Sequence, residues 1–409
     1  MTKNCYQPVD QLFLWMLTEP TKPILIGELN MVRHVRGVSL RYEQSWRENG
    51  FALSEDLPLE GQDEFFPTVQ DTAVGAIDDA RPDRWGERVI RLIDKPLRLS
   101  LMEYLYFAGD NRFGALGVSL SRDKYEPCDK NPLPFLSDIE TIEQLVQKVL
   151  ANEPIPEEQK RLISAGVSMG GVKPKALLNI QGEPWVVKFS DGDPIDTPLI
   201  EHASMTLAAL AGIRVAETKT IRMNYGHAVA IKRFDRIKNQ RVHTLSAYVA
   251  LKAAAEPFGY PELALLLRRR GPSKNSTNLK HMHELFRRMV FNILIDNTDD
   301  HEKNHALLVN AEQEYELSPA YDILPSGQAL GYQQMRVGTE QADSTITNAL
   351  SQCELFSLSQ EEARAETLRV IKVINTWKEH FKACGASPRD IEMLEEQIDR
   401  PFLKQQRQT

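Results

Sequence analysis

Asn297-Thr-Asp-Asp-His-Glu-Lys-Asn-His305 is followed a short way on by Pro319-Ala-Tyr-Asp-Ile-Leu-Pro325. Asp299 stands five residues before Asn304, and an isolated acid, Asp322, comes later. That spacing fits ATP-dependent phosphoryl transfer. One carboxylate orients the attacking hydroxyl, an Asn five residues later holds Mg²⁺, and a separate downstream Asp holds Mg²⁺ against the phosphates. The same stretch contains His301-Glu-Lys-Asn-His305, which formally matches the zinc-protease pattern H-E-x-x-H. Zinc would require both His one turn apart on a helix and a third ligand. Asn297-Thr-Asp-Asp300 is a run of turn and capping residues, and no third ligand follows at a standard spacing. The metalloprotease is therefore the distant alternative.

Upstream, Lys188 sits in the middle of an apolar strand, Trp185-Val-Val-Lys-Phe189. An unpaired buried ammonium is costly, so the position asks for an anionic partner. A nucleotide phosphate is one candidate, and the alternative is an exposed edge-strand lysine. Glu201, on the helix that follows, is a candidate ion-pair partner. Substituting Lys188 is expected to weaken nucleotide binding with little effect on stability. The segment Ser164-Ala-Gly-Val-Ser-Met-Gly-Gly-Val-Lys-Pro-Lys175 is rich in small residues, which let backbone N–H groups approach phosphate closely. It is not a Walker A sequence.

The surrounding pattern predicts an α+β chain. Short strands separated by Pro and Gly are expected at 12–17, 24–29 and 37–42. Further strands are expected at 176–180, 185–189, 217–223 and 227–234, with a helix over 199–211 ending at Gly212. From about 245 the chain reads as mainly helical. Met282, Leu285, Phe286, Met289, Val290, Ile293 and Leu294 form one apolar stripe at helical period, with His281 and His283 read as exposed flanks. Ser359 with Glu362 and Ser387 with Asp390 mark two helix starts. Arg268-Arg-Arg270 reads as cations at a helix C-terminus. The Pro-containing stretch 125–136 is the linker candidate. The domain division read from this order is 1–124, 137–235 and 236–409.

A chain of 409 residues, 42% hydrophobic and 26% charged, can bury a large core. Its net charge of −8 argues against a nucleic-acid coat or a polybasic membrane binder. Cys5, Cys128, Cys353 and Cys384 are far apart and fit no zinc pattern; they read as reduced thiols of a cytoplasmic protein. The apolar run 12–17 is too short for a signal sequence or a membrane span.

Taken in order, the motifs resemble the HipA-like serine/threonine kinases, the toxin components of bacterial toxin–antitoxin modules. The resemblance rests on Phe51-Ala-Leu-Ser54 with Leu57-Pro-Leu59, Pro82-Asp-Arg-Trp-Gly86 and Gly109-Asp-Asn-Arg-Phe-Gly-Ala-Leu-Gly117. It continues through Gly170-Gly-Val-Lys-Pro-Lys-Ala-Leu177, Trp185–Phe189, Arg233-Phe-Asp-Arg236, Phe291–Asn304 and Leu317–Asp322. It implies a two-lobed, protein-kinase-like fold with a strand-rich N-terminal part and a mainly helical C-terminal lobe. It implies Asp299, His301 and Asn304 as the catalytic motif, with Asn304 and Asp322 as Mg²⁺ ligands. ATP contacts are implied at Lys188, at the hinge Phe234-Asp235, and at Gly170, Gly171 and Lys175 of the phosphate loop. Ser168, or Ser164 four residues earlier, is implied as a self-inactivating autophosphorylation site. Lys232 departs from the family pattern, in which an acid precedes the hinge. The implied partners are a protein substrate such as an aminoacyl-tRNA synthetase and a helix-turn-helix antitoxin, with DNA reached only through the antitoxin and no membrane. The rival reading is a non-catalytic kinase-like module that partners an antitoxin.

Overall fold

The computed structural model describes residues 6–129, 131–163, 165 and 171–408. Ser164, Ser168 and Gly170, singled out above, lie outside the described residues, as does Cys5. The chain divides into two compact units. One comprises 1–187 with 235–245, and the other 188–234 with 246–409.

The first unit opens on three antiparallel strands, β1 (Gln11–Met16), β2 (Ile24–Val32) and β3 (Gly37–Tyr42), close to the positions read from the sequence. β4 (Leu116–Ser119) returns to the far side of β1, giving the order β3-β2-β1-β4. Leu12, Leu14, Ile26, Leu29, Val38, Leu40 and Val118 bury one face of this sheet. Gly27 is required where β2 meets β3, because a Cβ there would lie 2.1 Å from the Arg41 carbonyl oxygen. Four helices accompany the sheet: α1 (Gln44–Asn49), α2 (Arg84–Ile93), α3 (Leu101–Phe107) and α4 (Ile139–Leu150). Asp83 caps α2 by accepting from Gly86 N, and Ser100 with Glu103 forms a capping box on α3. β5 (Lys175–Ile180) and β6 (Glu183–Lys188) form a hairpin. Its two-residue turn, Gln181-Gly182, has positive φ at both positions, the geometry that follows strand twist.

The boundary between the units falls inside β6, so Lys188 belongs to the second. There α5 (Thr197–Leu210) is followed by the antiparallel pair β7 (Thr218–Arg222) and β8 (His227–Lys232). Three short strands, β9 (Arg236–Ile237), β10 (Gln240–Arg241) and β11 (Thr244–Ser246), of which β9 and β10 belong to the first unit, precede the helical part of the second. That part contains α6 (Ala247–Ala253), α7 (Tyr260–Arg270) and α8 (Thr277–Leu294). After the hairpin β12 (Ala306–Val309) and β13 (Tyr315–Leu317) come α9 (Ile346–Leu350), α10 (Gln360–Ile374), α11 (Trp377–Ala383), α12 (Pro388–Ile398) and α13 (Pro401–Gln406).

The stripe read on α8 is its buried side: all seven of its apolar residues are fully enclosed. α7 and α10 pack against this helix. The expectation for His281 fails. Its ring is buried, and Nδ1 accepts the Leu317 N–H at 3.3 Å, fastening β13 to α8. Polarity suggested exposure, but a backbone donor on a strand distant in sequence makes burial affordable. Cys128, Cys353 and Cys384 are free thiols. Among the described residues no helix is long and apolar enough to cross a membrane.

Candidate functional site

Lys188 ends β6 and is only 6% exposed. Its ammonium lies 2.8 Å from Glu201 Oε1, on α5, and also hydrogen-bonds Asp322. Burial alone would push this ammonium's pKa down; Asp322 and Glu201 together outweigh that and hold it up. The lysine is therefore a buried, doubly paired cation. The exposed edge-strand alternative is excluded.

Asp322 adopts φ 59°, a left-handed conformation that costs a non-Gly residue roughly 1–3 kcal/mol. Strain of this kind persists only where the surroundings fix it, and here Lys188 holds the carboxylate. Just before it, Tyr321 donates its hydroxyl to Lys303 O at 2.8 Å, and its ring lies against Phe234 with centroids 5.5 Å apart. Tyr321 thereby ties the turn before Asn304 to Phe234. Nothing in its spacing announced this.

α8 leads into the candidate catalytic stretch. After its last turn the chain reverses at Asp296, φ 63°, and Asn297 N bonds back to Asn292 O at 2.9 Å. Asp299 is exposed, whereas Asn297, Thr298, Asp300 and Asn304 are buried. Burial of part of its carboxyl raises the pKa of Asp299; His301 opposes this, and Asp322 and Asp300 add to it. A raised carboxyl that feels the field of Asp322 suits a group that accepts a proton. His301 caps the short turn Glu302–Asn304, with Nδ1 accepting from Lys303 N at 3.2 Å. It shapes the loop.

The H-E-x-x-H geometry is absent. Glu302–Asn304 is a single 3₁₀ turn, His305 is extended, and His305 Nε2 is 2.8 Å from Asp300 Oδ2. Among the described residues no three His, Cys, Asp or Glu side chains converge as a metal site. Asp300 was not singled out by sequence reasoning, yet it centres a buried network. It accepts from Tyr260 OH and from His305, Tyr260 OH accepts from Asn292 at 3.3 Å, and Asn292 from Asn297 at 3.1 Å. Burial pushes its carboxyl pKa up, but His305 and Tyr260 outweigh that and the net shift is down. The signal for it was the doubled acid Asp299-Asp300, only one of which can face solvent.

Mg²⁺ prefers oxygen donors and keeps several waters, so two protein ligands suffice. Among the described residues Asn304 Oδ1 is a buried acceptor with no hydrogen-bond partner, and Asp322 offers a carboxylate. An orphaned buried oxygen is costly unless something binds it. The donor set fits the ion.

Three other candidates belong to the first unit. Gly171 has φ +91°, open to glycine and strained for other residues. Lys175 is fully buried, with Nζ 2.5 Å from Asp83 Oδ2. Asp235 is also fully buried. Its carboxylate accepts from Gly114 N and Arg236 Nη1, each at 2.8 Å, and so holds the Gly109–Gly117 segment. Lys232, the departure at the hinge, lies 3.8 Å from Glu217 Oε2.

The family model of the HipA-like C-terminal domain matches residues 167–383, more than half of the chain. A candidate kinase, Y4dM, of Sinorhizobium fredii is 29% identical over 230 residues, 49% of this chain and 51% of that protein. A candidate kinase of Haemophilus influenzae is 24% identical over 238 residues, 51% of this chain and 68% of that protein. The match thus spans about half the length of the first relative. Among solved structures, HipA from the Shewanella oneidensis MR-1 toxin–antitoxin complex with HipB and operator DNA aligns with a TM-score of 0.66. It covers 97% of this chain and 99% of that one at 17% identity, a likeness of fold. With a strand-rich N-terminal part, a helical C-terminal part and a family match over more than half its length, the chain belongs to the HipA-like family.

Proposed function

We propose that the chain is a Mg²⁺-ATP-dependent protein serine/threonine kinase. The observation that carries this reading is Lys188, buried and held between Glu201 and Asp322, the helix glutamate and metal-binding aspartate that such a lysine requires. Asn304 and Asp322 would hold Mg²⁺, which when bound neutralises charge on the phosphates. Lys188 orients the phosphates, the Phe234 hinge receives the adenine, and Asp299 orients the acceptor hydroxyl and takes its proton. Lys175, spent on Asp83, is assigned to anchoring the start of β5. Catalysis is then positioning and electrostatics without a covalent enzyme intermediate. By the likeness to a HipA bound to HipB and operator DNA, the proposal extends to a toxin role with an antitoxin partner. It also includes self-inactivation through Ser168 or Ser164.

The test is transfer of radiolabelled γ-phosphate from Mg²⁺-ATP. Asp299→Asn and Asp322→Asn should each lower the rate by roughly 10²–10⁴ while circular dichroism stays native. Asn tolerates the left-handed backbone at position 322. A fully active variant would refute the assigned role, and an inert wild-type protein would favour the non-catalytic module.

A further inference from the structure

We infer that the arginine cavity on α2 binds a phosphate monoester carried on a serine or threonine. Arg84, Arg88 and Arg91 follow one another at spacings of four and three, which places them on one side of the helix. Trp85, Val89 and Ile93 supply its buried side. The three arginines line a cavity of about 630 Å³ together with Glu87, Leu92 and Asn152. That volume is within the range of sites for small ligands, roughly 300–1,000 Å³.

The charges are not mutually cancelled. Among the described residues Glu87 is the only acid in the lining, and Arg91 already binds it at 3.0 Å. Arg91 is further fixed by its Nε bond to Tyr104 OH, 3.1 Å. Among the described residues Arg88 is held through Nη2 alone, which donates to Leu150 O at 2.6 Å and contacts Asn152 Oδ1 at 3.3 Å. Its Nε and Nη1 remain available. Arg84 is exposed and, among the described residues, pairs with no carboxylate. A solvated helix face in a chain of net charge −8 would be expected to interleave more acids. Instead the lining carries two uncompensated cations, one of them pre-positioned.

The guanidinium fork matches the oxygens of a phosphate, and arginine clusters are a recurring receptor for phosphorylated side chains. A phosphate monoester carries about −1.5 to −2 at neutral pH, which meets the excess charge of the lining. Given the kinase reading, on which the choice of serine or threonine rests, this is the group the enzyme makes. Two sources share the chemistry: a phosphorylated residue of this chain and one on another protein.

The experiment is fluorescence anisotropy with the full chain and a labelled peptide carrying one phosphoserine, against the same peptide with serine. The phosphopeptide should bind at least about tenfold more tightly, and Arg84→Glu and Arg88→Gln should each remove about tenfold or more with unchanged melting temperature. Equal binding of the two peptides, or wild-type affinity in both variants, would overturn the inference. Displacement by inorganic sulfate as effective as by unlabelled phosphopeptide would also overturn it. Prior incubation with Mg²⁺-ATP separates the sources: a self-phosphorylated chain that no longer takes the peptide supports its own residue as occupant, and one that still takes it supports another protein's. Binding needs no turnover, so Asp299→Asn protein should bind the phosphopeptide like wild type. Failure of the kinase reading and failure of this site are thereby read separately.

Discussion

His243 donates Nε2–H to Leu53 O at 2.8 Å and leaves Nδ1 buried without a partner. Its ring is tilted against Phe51, with centroids 5.7 Å apart. A second proton would place an unpaired charge in an apolar setting, so burial lowers the pKa to about 4, against a small opposing effect of the Leu53 carbonyl. Between about 4 and the ordinary value near 6.5, the unfolded chain binds the proton and the folded chain does not. Stability from this group is therefore complete above about pH 6.5 and falls as pH drops, by on the order of 2 kcal/mol at pH 5. Urea denaturation at pH 7 and pH 5 checks this. His243→Gln keeps a donor for Leu53 and cannot titrate, so it should lose less stability on acidification than wild type. Equal losses would place the acid sensitivity elsewhere.

In the turn between α8 and β12, adjacent acids have opposite surroundings. Asp299, proposed to take the acceptor's proton, is exposed, while Asp300 is buried with Tyr260 and His305. Breaking a buried charged pair by removing one member typically costs about 3–5 kcal/mol, because the remaining groups stay unsatisfied. Asp300→Ala should therefore destabilise by that order. Tyr260→Phe removes one hydrogen bond to a charged acceptor and should cost about 1.5–3 kcal/mol. Chemical denaturation of both variants gives the ranking, and a near-neutral Asp300→Ala would show that the network contributes little to folding. Phosphoryl transfer should weaken in both, since the segment that aims Asp299 is held from below by these bonds.

The residues proposed to hold nucleotide and metal, Lys188, Phe234, Asn304 and Asp322, and the proposed proton acceptor Asp299 all fall in the second unit. A ligand that binds only the native state raises apparent stability by RT ln(1 + [L]/Kd), about 2.7 kcal/mol at a hundredfold excess over Kd. Mg²⁺-ATP should therefore raise the melting temperature of wild type and slow hydrogen exchange in peptides from 188–234 and 246–409. Lys188→Met should abolish that shift. It should also melt lower without ligand, because it leaves Glu201 buried without its 2.8 Å cation. The expectation of an unchanged unliganded stability followed from treating Lys188 as a ligand contact alone; its burial adds a structural role. An equal Mg²⁺-ATP shift in both proteins would remove Lys188 from the nucleotide site.

What could be read from the sequence was local and periodic. The α8 stripe, the first three strands, the Ser359 and Ser387 caps and the Asp299–Asn304 spacing need only near neighbours, and alternation or a 3.6-residue repeat writes them into the chain. The candidacy of Lys188 was legible too, because a charge inside an apolar strand demands a partner. Glu201 could be named as a candidate partner from the sequence; the others only tertiary structure decided. Glu201 and Asp322 are 13 and 134 residues from Lys188, Asp83 is 92 from Lys175, and Gly114 is 121 from Asp235. Burial of His281 and of Asp300 likewise depends on groups supplied by other elements. Polarity along the chain cannot encode this: a charged or polar residue is buried when a distant segment brings the compensating donor or acceptor, and only folding brings it.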